Sequence, residues 1–444
     1  MRSYQVDMCN GPIFKKLIIF SLPLILSGCL QLLFNAADII VVGRFTGNQA
    51  LAAVGSTSAL INLLVNMFIG ISVGANVVLG KSIGARDEEN TSKAVHTAIF
   101  IAVFGGLLMV FVGFFFAKPL LELMATPEDV IDLSSLYMRI YFAGMPFFMV
   151  YNFGAAILRS IGDTKRPLYF LLISGIINVL FNLCFVIVFD MGVAGVALAT
   201  IISQYISAGL CLYLLLTTKG THRIVPSKVK IHKELLGEIL KYGLPSGFQN
   251  SIIGLANVVV QSNINSFGDM AMAGCGAYSK IEGFAFLPIT SFTMALTTFV
   301  GQNLGARQYD RVLKGAKFGM ICSMTLAEII GVIIFVFSPQ FVAAFDATPE
   351  VIHFGTLRGQ TSAFFFWLLA YSHCVSAILR GAGKSMVPMI VMMVCWCFVR
   401  VTGLTIMGAL VHNIWCVYWI YPITWSLSSI TFFIYYHRVD WLHA

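Results

Sequence analysis

"ILRSIGDTKRP", residues 157–167, returns as "ILRGAGKSMVP" at residues 378–388. The same offset, 221 residues, separates "GKSIGAR" at 80–86 from "GQNLGAR" at 301–307. At an offset of 222, "ATPE" at 125–128 returns at 347–350, and Pro23 of "SLP" returns as Pro245 of "GLP". The matched residues are loop punctuation rather than apolar filler, so compositional bias does not produce them. The chain is an internal duplication.

What is duplicated follows from composition. Hydrophobic residues make up 58% of the chain and charged residues only 11%, with mean hydropathy +0.86; an ordinary soluble domain carries about 25% charged residues. Apolar runs long enough to cross a ~30 Å hydrocarbon core recur along the whole length. They read as twelve helices, at 14–43, 51–80, 93–117, 132–159, 166–188, 191–216, 235–265, 270–300, 312–338, 351–380, 386–408 and 412–436. The first run is far longer than a signal-peptide core and reads as a transmembrane helix. The expected fold is therefore an all-α membrane protein. It divides into an N-terminal six-helix lobe over 1–217, a cytoplasmic linker over 218–233, and a C-terminal six-helix lobe over 234–444. Six helices return the chain to its starting side, so the lobes are parallel repeats about a pseudo-two-fold axis along the membrane normal. Of 28 Lys and Arg, 22 fall at the N-terminus, in the even-numbered loops or at the C-terminus. Positive residues stay in the cytoplasm, which puts both termini there and the protein in the cell (plasma or inner) membrane.

Two matched bundles leave a cleft that rocking opens to alternate sides, which is the plan of a carrier. No catalytic cluster points to an enzyme, and nothing points to a nucleic-acid partner. "GAGKS" at 381–385 lacks the first Gly of a phosphate loop, because position 378 is Ile, and it follows no strand, so ATP is not expected. The ten cysteines lie mostly in apolar runs and read as small buried hydrophobes. "GISVG" at 70–74 reads as a close helix-packing face.

Ionisable groups deep in spans cost at least ~2.5 kcal/mol each and point to function by default. They are Asp38, Lys280, Glu282, Glu328 and Arg400. Gln31, Asn35 and Asp38 form one polar stripe at i, i+4 and i+7 on the first helix. Asn178 and Asn182 lie four apart on the fifth, and Thr200, Ser203 and Gln204 share a face of the sixth. Convergence of Asp38, Asn178, Asn182 and Thr200 would make an oxygen-rich pocket with one negative charge. Such a pocket suits a small hard cation, and equally a proton. In the second lobe Val260 stands where the repeat would place an acid, so the lobes have specialised. Asn250, Asn257 and Gln261 share a face that can line the cleft, with Lys280, Glu282 and Arg400 near it; Arg400 is the expected ion-pair partner of Glu282. Glu328 has no evident partner. Pro23 and Pro245 are expected to bend helices 1 and 7.

The six-plus-six plan, "SLP", "ADIIVVGRF" at 37–45, "GVAGVALATIISQ" at 192–204 and the paired loop motifs together resemble the multidrug and toxic compound extrusion (MATE) family. The resemblance implies cation-driven antiport, with Na⁺ or H⁺ entering as an organic compound or drug is exported, and no other cofactor or metal. It also implies a cation site in the N-terminal lobe, at positions matched here by Asp38, Asn178, Asn182 and Thr200. Two features depart from the family pattern. Asn182 stands where some members carry a second acid, and no acid occurs between Lys241 and Asp269 on helix 7. Lys280 and Arg400 sit awkwardly with a purely cationic drug. The alternative within the same superfamily is a lipid-linked glycan flippase.

Overall fold

The computed structural model describes residues 4–124, 126–411 and 413–443, with side chains at all of these except 43, 47–52, 129 and 409. Ala125 of the first "ATPE" and position 412, the start of the twelfth expected span, lie outside the described residues, as do the extreme ends of the two expected lobes. Among the described residues the secondary structure is entirely helical. In chain order the helices are α1 (Ile13–Phe45), α2 (Gly47–Gly84), α3 (Glu88–Leu123), α4 (Glu128–Ala143), α5 (Met145–Ser160), α6 (Lys165–Leu183) and α7 (Gly192–Thr217). The second half holds α8 (Lys233–Asn265), α9 (Asp269–Gly305), α10 (Tyr309–Ala343), α11 (Pro349–Ala363), α12 (Phe366–Gly381), α13 (Met386–Met392), α14 (Arg400–Leu410) and α15 (Ile414–Arg438). A π-helical segment, Cys184–Val188, follows α6, and another, Met393–Val399, joins α13 to α14.

Nine helices among the described residues are long and apolar enough to cross a bilayer, and two bent pairs add one crossing each. Helix α8 falls outside this set, although its 33 residues reach about 50 Å at 1.5 Å per residue. Its many amide side chains lower its hydropathy. Two spans expected to be continuous are in fact broken. Val130–Ala143 meets Met145–Ser160 at 47°, and Pro349–Ala363 meets Phe366–Gly381 at 57°. The first break is written in the sequence: Gly144 weakens the helix, and Pro146 fits only at the start of a new one. No glycine or proline marks the second. There Glu328, from the middle of α10, accepts a hydrogen bond at 3.2 Å from the backbone N–H of Trp367. This satisfies a donor freed at the start of α12.

Contact divides the chain into two units. One takes the N-terminal residues up to Asp7 and Leu26–Gly247, the other Met8–Ile25 and Phe248–Ala444. Both divisions fall inside helices, two residues beyond Pro23 in α1 and two beyond Pro245 in α8. Within the first unit α2 and α3 each pack on α4 and α5, α7 packs on α4 and α5, and α6 lies beside α7. Within the second, α9 and α10 each pack on α11 and α12, α15 packs on α11 and α12, and α14 lies beside α15. Each of these packings of the first unit thus recurs in the second, so the duplication is structural.

The repeated sequence motifs are helix stops. After α2, the Asp87 N–H reaches Ser82 O and the Arg86 N–H reaches Ile83 O, both at 3.0 Å, with Arg86 at φ 57°. After α9, Gln308 and Arg307 bond Asn303 and Leu304 in the same way, with Arg307 at φ 55°. "RSIGD" and "RGAGK" close α5 and α12 identically, with Gly162 at φ 87° and Gly383 at φ 89°. All four are Schellman motifs, which satisfy the last free carbonyls of a helix through a left-handed residue.

Polarity is distributed as a bilayer requires. Phe104, Leu107, Phe111, Phe114 and Phe115 of α3 are exposed, whereas Thr97 of the same helix is buried. Without a hydrophobic drive between helices in lipid, close contact and hydrogen bonds hold them together. In the first unit a Cβ on Gly70 would lie 2.1 Å from the Gly247 backbone, and one on Gly74 would lie 2.3 Å from Ile239 O, so "GISVG" does serve close packing. The cysteines are all free.

Candidate functional site

Asp38 sits half-buried on the C-terminal stretch of α1, and Asn178 and Asn182 are buried on α6. One turn before each, the two helices touch. A Cβ on Gly175 would lie 1.8 Å from the Phe34 ring, so only glycine lets the aromatic lie against the α6 backbone. This close approach brings the polar groups together. The Asn182 amide nitrogen donates to Asp38 Oδ1 at 2.5 Å and to Asn178 Oδ1 at 3.3 Å. Asn182 Oδ1 is buried and has no hydrogen-bond partner. Among the described residues no basic nitrogen lies within 4.0 Å of Asp38. The carboxylate is therefore held by an amide, with one oxygen acceptor beside it unspent.

The other expected members stand further from this cluster. Thr200 is half-buried on α7, and its hydroxyl donates to Val196 O at 3.0 Å on its own helix. Gln31 and Asn35 are exposed on α1. Gln204 meets the Tyr141 side chain and leaves its Oε1 buried without a partner. Tyr137 and Tyr141 of α4, unforeseen in the sequence, lie close enough to Asp38 to feel its charge.

In the second unit the expected Glu282–Arg400 pair gives way to another. Glu282 on α9 lies 3.9 Å from Arg358 Nη2 of α11, while Arg400 is only in electrostatic range. Arg358, at an odd-side helix end by sequence, folds inward to 4% exposure beneath Tyr278 and Tyr421. Arg400, 1% exposed, donates to Asn257 Oδ1 at 3.4 Å and to Thr424 Oγ1 at 2.9 Å. Asn250 is half-buried and Asn257 exposed on α8, where Gln261 donates to Asn265 at 2.8 Å. Lys280 points to the exposed side of α9, away from Glu282.

The sequence model of the MatE family matches residues 23–184 and again 245–404, so each stretch begins at one of the prolines inside α1 and α8. The chain belongs to the MATE family. This MATE protein is 29% identical over 447 residues to "Probable multidrug resistance protein YoeA" of Bacillus subtilis, covering 96% of this chain and 94% of that one. It is also 29% identical over 402 residues to "Probable multidrug resistance protein YpnP" of the same organism, covering 90% and 89%. Its fold superposes with TM-score 0.92 on an outward-facing multidrug resistance MATE family transporter of the MOP superfamily, at 21% identity over the full length of both chains. This MATE chain is accordingly a multi-pass membrane efflux transporter, and the proteins it resembles are transporters. The sequence signals for the overlooked tyrosines were the "YFAGMP" bend at 141–146 and the i, i+4 spacing of Tyr137 and Tyr141 on one helix.

Proposed function

We propose that this MATE protein is an Na⁺- or H⁺-coupled antiporter that exports organic compounds by alternating access, with Asp38 as the coupling carboxylate. The reading rests on one observation: a half-buried carboxylate inside a span is bonded by a neutral amide whose own oxygen is unsatisfied. With Asp38 ionised, the Asn182 nitrogen faces it. When a cation or proton neutralises the carboxylate, rotation of the amide by half a turn turns Oδ1 towards it. That oxygen then coordinates the ion or accepts the new O–H, and the orphaned acceptor finds its partner. Asn178 Oδ1 and, after a change of rotamer, the Thr200 hydroxyl complete the oxygen set. Gln31, Asn35, Gln204, Asn250, Asn257 and Gln261 serve as supporting polar surface along the substrate route. Neutralisation alters what α1 packs against, and Pro23 and Pro245, each removing one helical hydrogen bond, are where α1 and α8 bend.

In the same reading the lobes are 1–217 and 234–444, joined by a linker at 218–233. Both termini face the cytoplasm of a cell whose plasma (inner) membrane holds the protein, and the ion gradient, not ATP, supplies the drive. The test is substrate dye movement in everted vesicles with a sodium or a proton gradient imposed separately. One gradient is expected to drive movement, and Asp38→Asn to reduce it on the order of tenfold or more with the protein still folded. Gradient-driven movement undiminished in Asp38→Asn would remove the coupling assignment.

A further inference from the structure

Charge does not balance inside the second unit. Glu282, Arg358 and Arg400 lie together in its helices, and Glu282 lies against Arg358. Arg400 is left with neutral company: the Asn257 amide, the Thr424 hydroxyl and the faces of Tyr421 at 4.6 Å and Trp396 at 5.1 Å. Among the described residues no carboxylate oxygen comes within 4.0 Å of it. A guanidinium has five N–H donors. Arg400 places two, one of them on a long 3.4 Å contact, and its Nε is buried with no acceptor.

Nothing about this side chain suggests a chance burial. Trp396, beneath it, is itself fixed by Nε1 donating to Ser428 Oγ at 3.1 Å. Thr424 is fully buried and Asn257 is exposed, so of the two groups that Arg400 bonds one is enclosed and the other reaches the protein surface. The π-helical turn Met393–Val399 ends at Arg400. Such turns are costly backbone irregularities that gather at functional sites. Aromatic faces compensate a buried cation in part, but a permanently charged group with spare donors is completed by an oxyanion, which takes a guanidinium's N–H pair in parallel.

We propose that Arg400 binds an oxyanion, carboxylate or phosphate, carried by the exported molecule, so that this transporter accepts organic anions, or zwitterions docked by their acidic end. The inference deepens the export reading by naming a substrate class, and it rests on that reading for its physiological meaning. Equilibrium binding needs no ion gradient, so failure here and failure of the Asp38 coupling assignment appear in different experiments.

The test uses the full-length protein in lipid nanodiscs and fluorescence polarisation of two xanthene dyes of opposite charge, fluorescein as the anion and rhodamine 123 as the cation. Fluorescein is expected to bind on the order of tenfold more tightly than rhodamine 123, and Arg400→Gln to weaken fluorescein by a similar factor or more. Asn257→Asp offers Arg400 a carboxylate from the protein itself and is expected to produce the same loss in a fully folded chain, which decides the matter should Arg400→Gln fail to fold. Tighter or equal binding of rhodamine 123 by the native protein would overturn the proposal. So would native fluorescein affinity in Asn257→Asp.

Discussion

Glu328 gains a role only when the backbone around it is seen. It stands at mid-span on α10, and its carboxylate receives the N–H that α12 exposes at its first turn. In lipid no water takes over such a donor. Glu328→Gln retains an acceptor oxygen and is expected to leave thermal stability near native. Glu328→Ala is expected to cost about 1 kcal/mol, the penalty of a donor left without an acceptor at an apolar surface, read as a lowered unfolding midpoint in detergent. Equal midpoints for the two variants would show that the contact carries no weight. The sequence marked Glu328 as anomalous but held no sign of its partner, because the partner is a backbone group released by a break in "AFFFW" that no glycine or proline announces. Asp38, Asn178 and Asn182 were legible, since i, i+4 stripes on two spans specify faces. Thr200 was expected beside them, yet its hydroxyl is taken by its own turn. The partner of Glu282 was misread because the choice between two arginines on different spans depends on how those spans are rotated, which spacing along one helix does not encode.

At the scale of elements, the duplicated loop motifs recorded in the sequence turn out to be one device used four times. In each stop the residue after the helix cap adopts positive φ: glycine after α5 and α12, arginine after α2 and α9. A non-glycine residue pays roughly 1 kcal/mol for that conformation. Arg86→Gly and Arg307→Gly are each expected to raise stability by about that amount, measured as an upward shift of the unfolding midpoint with the helix content unchanged. A downward shift would mean that these side chains earn their place through contacts beyond the helix stop. The broken spans divide in the same way between visible and hidden. "AGMP" announces the first bend in its own residues, whereas the second depends on an acid from a neighbouring helix.

For the molecule as a whole, repetition was the most legible property. Six spans per half, prolines at matching places and a family model fitting twice all follow from an offset that reads directly from the residues. What the offset does not disclose is how contacts are shared out. The two contact units exchange helix ends: Met8–Ile25 belongs with the second, and the stretch of α8 up to Gly247 with the first.

That exchange bears on how the chain has to be made. A gene cut within 218–233 would encode two polypeptides, each missing a portion of its own packing and carrying a portion of the other's. Expressed alone, either is expected to be degraded. Expressed together, they are expected to rescue one another and co-purify, and an equal yield of each fragment with or without its mate would show the exchange to be dispensable. Synthesis order matters for the same reason: Met8–Ile25 leaves the ribosome early and waits for Phe248–Ala444 before the rest of its unit exists.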